Sequence, residues 1–369
     1  MRPPRAPRRS ENVSVEALLG RRVVDVAAAK FGEYLLGAAV LVTGAAGSIG
    51  TELCALLARL GVGQLVLVDQ AEASLVAVAR SLQRDCGLAC VPVLADIRSR
   101  SRSFEVFETY RPDVVFHAAA YKHVSLLEAS PSEAAATNVI GTQSVVDAAG
   151  VVGVQRFVLF STDKAVQAAS ILGQTKSVAE WVVAGAGESA LQGRFATVRL
   201  VNVIDSAGSI LPLFREQLAR GVPLTVTDER ATRYLMTAGE AAGLAVVAGA
   251  LADSESVFFL DSGPPVSVLD LASRLASAGV DIEFVGLRAG ERLHERLCWS
   301  GDELSATPCE QVLRAPMHRV DPIWLEAQLA ALARCVERAS AAGIRSLLAE
   351  MQATAALGRN GARPREAVP

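Results

Sequence analysis

The spacing of three glycines constrains this chain more than any other feature. The apolar run Val40–Val42 leads into Thr43-Gly-Ala-Ala-Gly-Ser-Ile-Gly50, and a helical pattern follows through Thr51–Leu60. Gly44, Gly47 and Gly50 therefore stand where a buried strand turns into a helix. Glycines at such a turn let backbone approach a pyrophosphate, and the free N–H groups from Ser48 and Ile49 onward face the anion. The next apolar run, Gln64–Asp69, ends in an acid. Asp69 lies about 20 residues on, where a carboxylate accepts from ribose hydroxyls and repels a 2′-phosphate. No Arg stands immediately beside it, which favours NAD over NADP. A glycine loop alone also serves ordinary turns, and Asp69 alone reads as a solvated strand end. The order strand, loop, helix, strand, acid is what gives them a shared meaning.

The same rhythm continues down the chain. Apolar runs recur at Cys90–Leu94, Val114–His117, Arg156–Phe160 and Phe195–Val201, separated by segments of helical period. Alternation of this kind predicts an α/β fold, a doubly wound parallel sheet with helices on both faces. Asp96 and Ile97 after the third strand are placed to meet the adenine. Ala118 and Ala119 after the fourth are small enough to border the cofactor, although packing alone also accounts for them. Beyond Val201 the rhythm breaks, with a further strand expected at Pro223–Val226 and a smaller C-terminal lobe. The plan is an arm and short helical extension over 1–37 and a nucleotide-binding domain over 38–205, to which 235–262 returns. A substrate lobe over 206–320 and a C-terminal helix with a disordered tail over 321–369 complete it. Helical periodicity covers Asp321–Met351, and Ala353–Pro369 reads as the tail.

Composition excludes several classes. Of 369 residues 51% are hydrophobic, high enough that a membrane protein must be tested for. The longest uncharged apolar stretch, near Ala241–Ala252, falls well short of the ~20 residues a spanning helix needs. A formal net charge of -3 speaks against nucleic acid as the main partner. The basic segment Arg2–Arg9 has no apolar run behind it, so it reads as an arm and not as a secretory signal. Cys54, Cys86, Cys90, Cys298, Cys309 and Cys335 show no metal spacing, so no metal site is expected and free thiols in a reducing cytoplasm are.

Chemistry is expected at the end of the fifth strand, which delivers Ser161-Thr162-Asp163-Lys164, with Lys176 on the following helix. A local Asp163–Lys164 ion pair is the plainer alternative. The segments TGAAGSIG, HAAAYKHVSLLE, TNVIGT, STDKAV, LGQTKSVAE, NVIDSAGS, TRYLMT and GLRAGERLHERL occur in this order. Together they resemble the bacterial polysaccharide-biosynthesis nucleotide-sugar 4,6-dehydratases, extended short-chain dehydrogenases typified by UDP-N-acetylglucosamine 4,6-dehydratases. The resemblance spans roughly Val15 to Glu310, and it is similar to the short forms without an N-terminal membrane region.

The resemblance implies a UDP-sugar or other nucleotide-diphosphate-sugar substrate and a recycled NAD. Sugar C4 is oxidised, water leaves across C5 and C6, and hydride returns to C6, giving a 4-keto-6-deoxy sugar. It implies that Asp163 protonates the departing C6 hydroxyl and that Lys164 is the base at C5, an amine whose pKa is lowered by burial or nearby positive charge. Thr162 would serve the C4 hydroxyl, and Lys176 would hold the nicotinamide ribose. Lys122 and His123 would line the sugar site, with Asn138 ordering the backbone there. Asn202, Ser209, Arg233, Arg288 and Glu291 would hold the nucleotide, Arg233 as the diphosphate cation. A homo-oligomer is also implied.

Departures from the family pattern cluster around the sugar. Leu172 stands where short-chain dehydrogenases carry Tyr and one dehydratase subgroup carries Met. Gln167–Ser170 replaces Asn-Pro-Thr-Asn, Val201 and Asp205 each replace Gly, and Ala289 replaces Pro. Asp205 is expected to add a carboxylate beside the sugar pocket. These changes leave a nucleotide-sugar epimerase or oxidoreductase, or an NAD-binding pseudoenzyme, as alternatives.

Overall fold

The computed structural model describes residues 13–189, 193–253, 256–276, 280–299 and 301–361. The Arg2–Arg9 arm and the end of the tail lie outside them. The apolar runs form strands β1 (Ala39–Thr43), β2 (Gln64–Asp69), β3 (Val91–Leu94), β4 (Val114–His117), β5 (Arg156–Thr162) and β6 (Arg194–Leu200). Three later strands, β7 (Ser256–Leu260), β8 (Ser305–Ala306) and β9 (Val312–Pro316), join the same sheet. Its order is β8-β9-β7-β6-β5-β4-β1-β2-β3. Pairing is parallel from β3 to β7 and antiparallel for β9 on β7 and β8 on β9.

Register explains the unbroken apolar runs. Val42 of β1 sits opposite Leu67 of β2 and Phe116 of β4. Val40 and Val42 face one core cluster and Leu41 the other, all three fully buried. A strand covered on both faces has no polar side to alternate with. On the Val40 face lie α1 (Ser48–Arg59), through Leu53 and Leu57, and α3 (Ala238–Leu251), through Leu244 and Val247. The Leu41 face carries α2 (Ile171–Ser189), through Val178 and Val182. The strand order reverses between β1 and β4, so crossovers to opposite faces leave a crevice at their carboxyl ends. The fold is the doubly wound α/β sheet that the glycine loop requires.

The longest apolar stretch of the sequence becomes α3, which is buried along most of its length. Its start is set by a capping box between Thr237 and Glu240. Glu240 also accepts from Arg21 at 2.6 Å and from the Val24 amide at 2.7 Å, tying the N-terminal segment to the helix. Among the described residues no helix is long and apolar enough to cross a membrane.

A third core builds the smaller lobe from Phe214, Leu224, Val226 and Leu271. Leu18 and Leu19, from the short helix Val15–Leu19, complete it. At the C-terminus α4 (Pro322–Glu337) is capped by Asp321, and α5 (Ala341–Gly361) follows. The helix α5 thus runs past Ala353, where a disordered tail was expected. Leu348 and Met351 are fully buried in the turns before that point and Ala355 packs on the same core, so the Ala-rich stretch continues an anchored helix.

One buried ion pair supports α2 against the sheet. Arg199 of β6 meets Glu180 of α2 at 2.7 Å, and the Ser161 hydroxyl donates to the same carboxylate at 2.6 Å. Glu180→Ala removes the carboxylate bonded to a buried guanidinium, leaving it only the more distant charge of Asp302, and is expected to destabilise the protein by about 3 kcal/mol. Urea unfolding measures this, and a loss below about 1 kcal/mol would contradict it.

Candidate active site

A cleft of about 640 Å³ opens at the carboxyl ends of the central strands, between the sheet and the smaller lobe. A larger hollow, about 990 Å³, lies among the outer helices near Val146, Trp181 and Leu325, away from those strand ends. The glycine loop forms one end of the cleft, where Gly44, Gly47, Ser48, Ile49, Gly50 and Ala118 line it. Gly44 has φ +67°, and a Cβ there would lie 2.6 Å from the Ala119 nitrogen. A Cβ on Gly50 would lie 2.1 Å from the Gly44 carbonyl oxygen. Only hydrogen fits at either position, so the loop folds tightly between β1 and β4.

Asp69 closes β2 beside this loop. Its Oδ2 accepts from the Ala46 amide and its Oδ1 from the Ala71 amide, both at 2.9 Å. The carboxylate is thereby fixed against the glycine turn, although it and Ala119 stand outside the walls of the cleft itself. Asp96 and Ile97 stand outside them too. Asp96 turns to Arg98, accepting from its amide and its guanidinium, while Ile97 packs against Gly141 at the start of a helix.

The fifth strand delivers the chemical groups. Asp163 is fully buried behind the cleft wall, and its Oδ1 accepts from the Thr162 hydroxyl at 2.9 Å and from Lys164 Nζ at 3.0 Å. Thr162 and Lys164 line the cleft, and Lys164 Nζ also donates to Asn202 Oδ1 at 3.1 Å. Lys164 departs from the expected lowered pKa. Burial presses it down, but the charges of Asp163 and Glu295 and the Asp163 hydrogen bond outweigh burial and raise it above the ordinary value. The resting group is an ammonium held by carboxylates.

Lys176, on the cleft wall from α2, shows the lowered value instead. Burial brings it down from 10.5 to about 8, against the opposing charge of Glu180. Between those two pH values the unfolded chain binds more protons than the folded one, so this lysine makes stability rise with pH. The rise from about pH 8 to 10.5 should exceed that of Lys176→Met by up to about 3 kcal/mol. Denaturant melts of the two cofactor-free proteins check it, and identical pH responses would contradict it. Four residues before Lys176, Leu172 also lines the cleft and carries no proton to give. Asn138 lies beneath, its Oδ1 accepting from the Tyr121 amide and its Nδ2 donating to the Tyr121 carbonyl and Thr175 Oγ1. It orders the backbone just before Lys122.

The lobe and the segments after β4 and β6 supply the rest of the wall, and the Ala207 amide donates to the Ser48 hydroxyl of the glycine loop at 3.2 Å. Lys122, His123, Asn202, Ser209, Arg233, Arg288 and Glu291 all line it. Lys122 donates to the Ser206 hydroxyl at 3.2 Å, and burial lowers its pKa. Arg233 is fixed by donating to the carbonyls of Thr232 at 2.7 Å and Leu293 at 3.0 Å. Glu291 accepts from the Arg288 amide at 3.0 Å. Asp205 does not join them: it pairs with Arg215 at 2.5 Å, both side chains about half exposed, and it is absent from the cleft wall. Its left-handed backbone, φ +63°, turns the side chain out toward the following helix. Glu295, which sequence reading passed over, stands 3.4 Å from Lys164 Nζ with its side chain 4% exposed. Its only signal was its place in the GLRAGERLHERL stretch.

Comparison with known proteins follows this geometry. The capsular polysaccharide biosynthesis protein CapD of Staphylococcus aureus is 41% identical over 295 residues, covering 78% of this chain and 49% of that protein. The chain thus spans about half the length of the first curated relatives it matches. A UDP-N-acetylglucosamine 4,6-dehydratase (inverting) of Campylobacter jejuni is 31% identical over 271 residues, 71% of this chain and 78% of that one. The crystal structure of a UDP-glucose-4-epimerase from Stenotrophomonas maltophila, with bound NAD and formylated UDP-arabinopyranose, superposes with a TM-score of 0.60. It is 25% identical and covers 69% of this chain and 88% of its own. The model of the family described as "Polysaccharide biosynthesis protein" matches residues 40–317, from β1 to just past β9, and the chain belongs to that family.

Proposed function

We propose that the chain is an NAD-dependent nucleotide-sugar 4,6-dehydratase acting on a UDP-N-acetylhexosamine. The observation that carries this reading is the hydrogen-bonded set Thr162, Asp163 and Lys164: Thr162 and Lys164 line the cleft that the glycine loop and the arginines of the lobe also line, and Asp163 backs them from behind its wall. The cradle suits NAD: Gly44 and Gly50 leave room only for hydrogen, the N-terminus of α1 faces the cleft, and Asp69 is braced beside the loop. Gly44, Gly47, Ser48, Ile49, Gly50 and Lys176 would hold it, and when bound it would take hydride from sugar C4 and return it to C6.

The chain's own residues supply the proton chemistry. Lys164 Nζ lies 3.0 Å from Asp163 Oδ1, so one proton passing between them yields an amine and a carboxylic acid. The amine takes the C5 proton, acidified by the C4 ketone, and the acid protonates the C6 hydroxyl as it leaves as water. That step restores the ammonium and the carboxylate; as C6 is reduced the ammonium protonates C5, and the amine then takes back from solvent the proton that C4 oxidation released, so the pair ends as it began. Thr162 accepts a hydrogen bond from the substrate's C4 hydroxyl in this scheme, and the proton that this hydroxyl loses on oxidation passes to solvent, since Leu172 has no group to take it. Arg233 and Arg288 are suited to the diphosphate and Glu291 to ribose hydroxyls. Inversion at C4 alone, as in an epimerase, leaves this acid–base pair without a task, which favours elimination. Incubation with UDP-N-acetylglucosamine and catalytic NAD, followed by mass spectrometry, tests the reading. Loss of one water with no net NADH supports it, and the absence of turnover with any UDP- or dTDP-sugar would overturn it.

A further inference from the structure

Lys164 sits between two carboxylates carried by different parts of the chain. Asp163 comes from the sheet, and Glu295 comes from the lobe. Both are buried, and each leaves one oxygen, Asp163 Oδ2 and Glu295 Oε2, without a hydrogen-bond partner among the described residues. A buried carboxylate oxygen left bare is costly, and a group kept in that state commonly has a functional reason. The remaining neighbours are Asn202, which accepts from the same ammonium, and Arg233, whose charge opposes it. Lys122, Lys176, Arg288 and Glu291 stand on the same cleft wall.

We propose that Glu295 is a positioning residue for Lys164, holding its ammonium from the side opposite Asp163. The proposal rests on the dehydratase reading for the meaning of Lys164, but not for the contact itself. Asp163 changes its protonation during the elimination, so it cannot supply a constant counter-charge. Glu295 can, and it balances the ammonium that forms once Lys164 has taken the C5 proton.

The composition permits a direct test. The chain contains four lysines, Lys30, Lys122, Lys164 and Lys176, so protein labelled with ¹³C at lysine Cε gives four signals. Loss of one in Lys164→Arg assigns it. Glu295→Gln is expected to move the Lys164 midpoint down by about one pH unit or more, with Lys30 unmoved and Glu295→Asp restoring most of the shift. An unchanged Lys164 midpoint in Glu295→Gln would overturn the proposal. With UDP-N-acetylglucosamine and NAD in deuterated water, the rising limb of C5 exchange against pH should move by the same amount, and kcat should fall about tenfold with a smaller change in KM. An unmoved limb would equally overturn it. If the wild-type protein exchanges nothing, the dehydratase reading falls while the lysine titration still decides the contact.

Discussion

Lys164→Ala is expected to abolish exchange of the sugar C5 proton with solvent and to reduce turnover by ~10³-fold or more. NAD binding should persist. The separation follows from placement: the amine donates to Asp163 and Asn202 and makes no hydrogen bond to the glycine loop among the described contacts. Removing the side chain also leaves Asp163 buried without its cation, so some loss of stability accompanies the loss of activity. Lys164→Met keeps more of the packing and should be as inactive. C5 exchange is read by mass spectrometry in deuterated water. Exchange near the wild-type rate in either variant would remove Lys164 from the role of base.

Gly50→Ala should act through the cofactor. In an ordinary helix Ala in place of Gly gains about 1 kcal/mol. Here the added methyl would lie 2.1 Å from the Gly44 carbonyl oxygen and 2.9 Å from Ala45 Cα, both backbone atoms that no side-chain rotation can move. Overpacking of this kind costs about 1–3 kcal/mol, so the clash outweighs the helical gain. The loop must open, and its N–H groups then no longer converge on the pyrophosphate. NAD affinity is expected to fall by at least about tenfold, since that corresponds to only about 1.4 kcal/mol. Calorimetric titration measures it, and wild-type affinity in Gly50→Ala would mean that the loop does not hold the cofactor.

The legible parts of this molecule are those set by local pattern. β1 and the glycine loop announce themselves because a strand buried on both faces must be apolar throughout, and a tight turn beneath an anion needs glycine. The position of Thr162 and Lys164 on a cleft wall was equally legible, since the carboxyl ends of strands in such sheets border the crevice. Pairings between distant segments were not. Glu295 reaches Lys164 only because the lobe folds back over the sheet, and the charge state of that lysine depends on this second carboxylate. Asp205 was misplaced for a related reason. It neighbours Ser206 in sequence, yet a left-handed backbone and Arg215, ten residues on, draw it to the surface. Helix α5 outran its expected end because burial of Met351 and packing of Ala355, neither visible in composition, hold its last turns.

In the proposed reaction one cleft oxidises C4, eliminates water and reduces C6 of the same sugar. UDP-N-acetylglucosamine carrying deuterium at C4 tests it most directly. The expected product is a 4-keto-6-deoxy sugar that retains that deuterium at C6 and has gained one solvent hydrogen at C5, with no net NADH formed. Deuterium lost to solvent or accumulated in the cofactor pool, or a product still bearing its C6 oxygen, would contradict it.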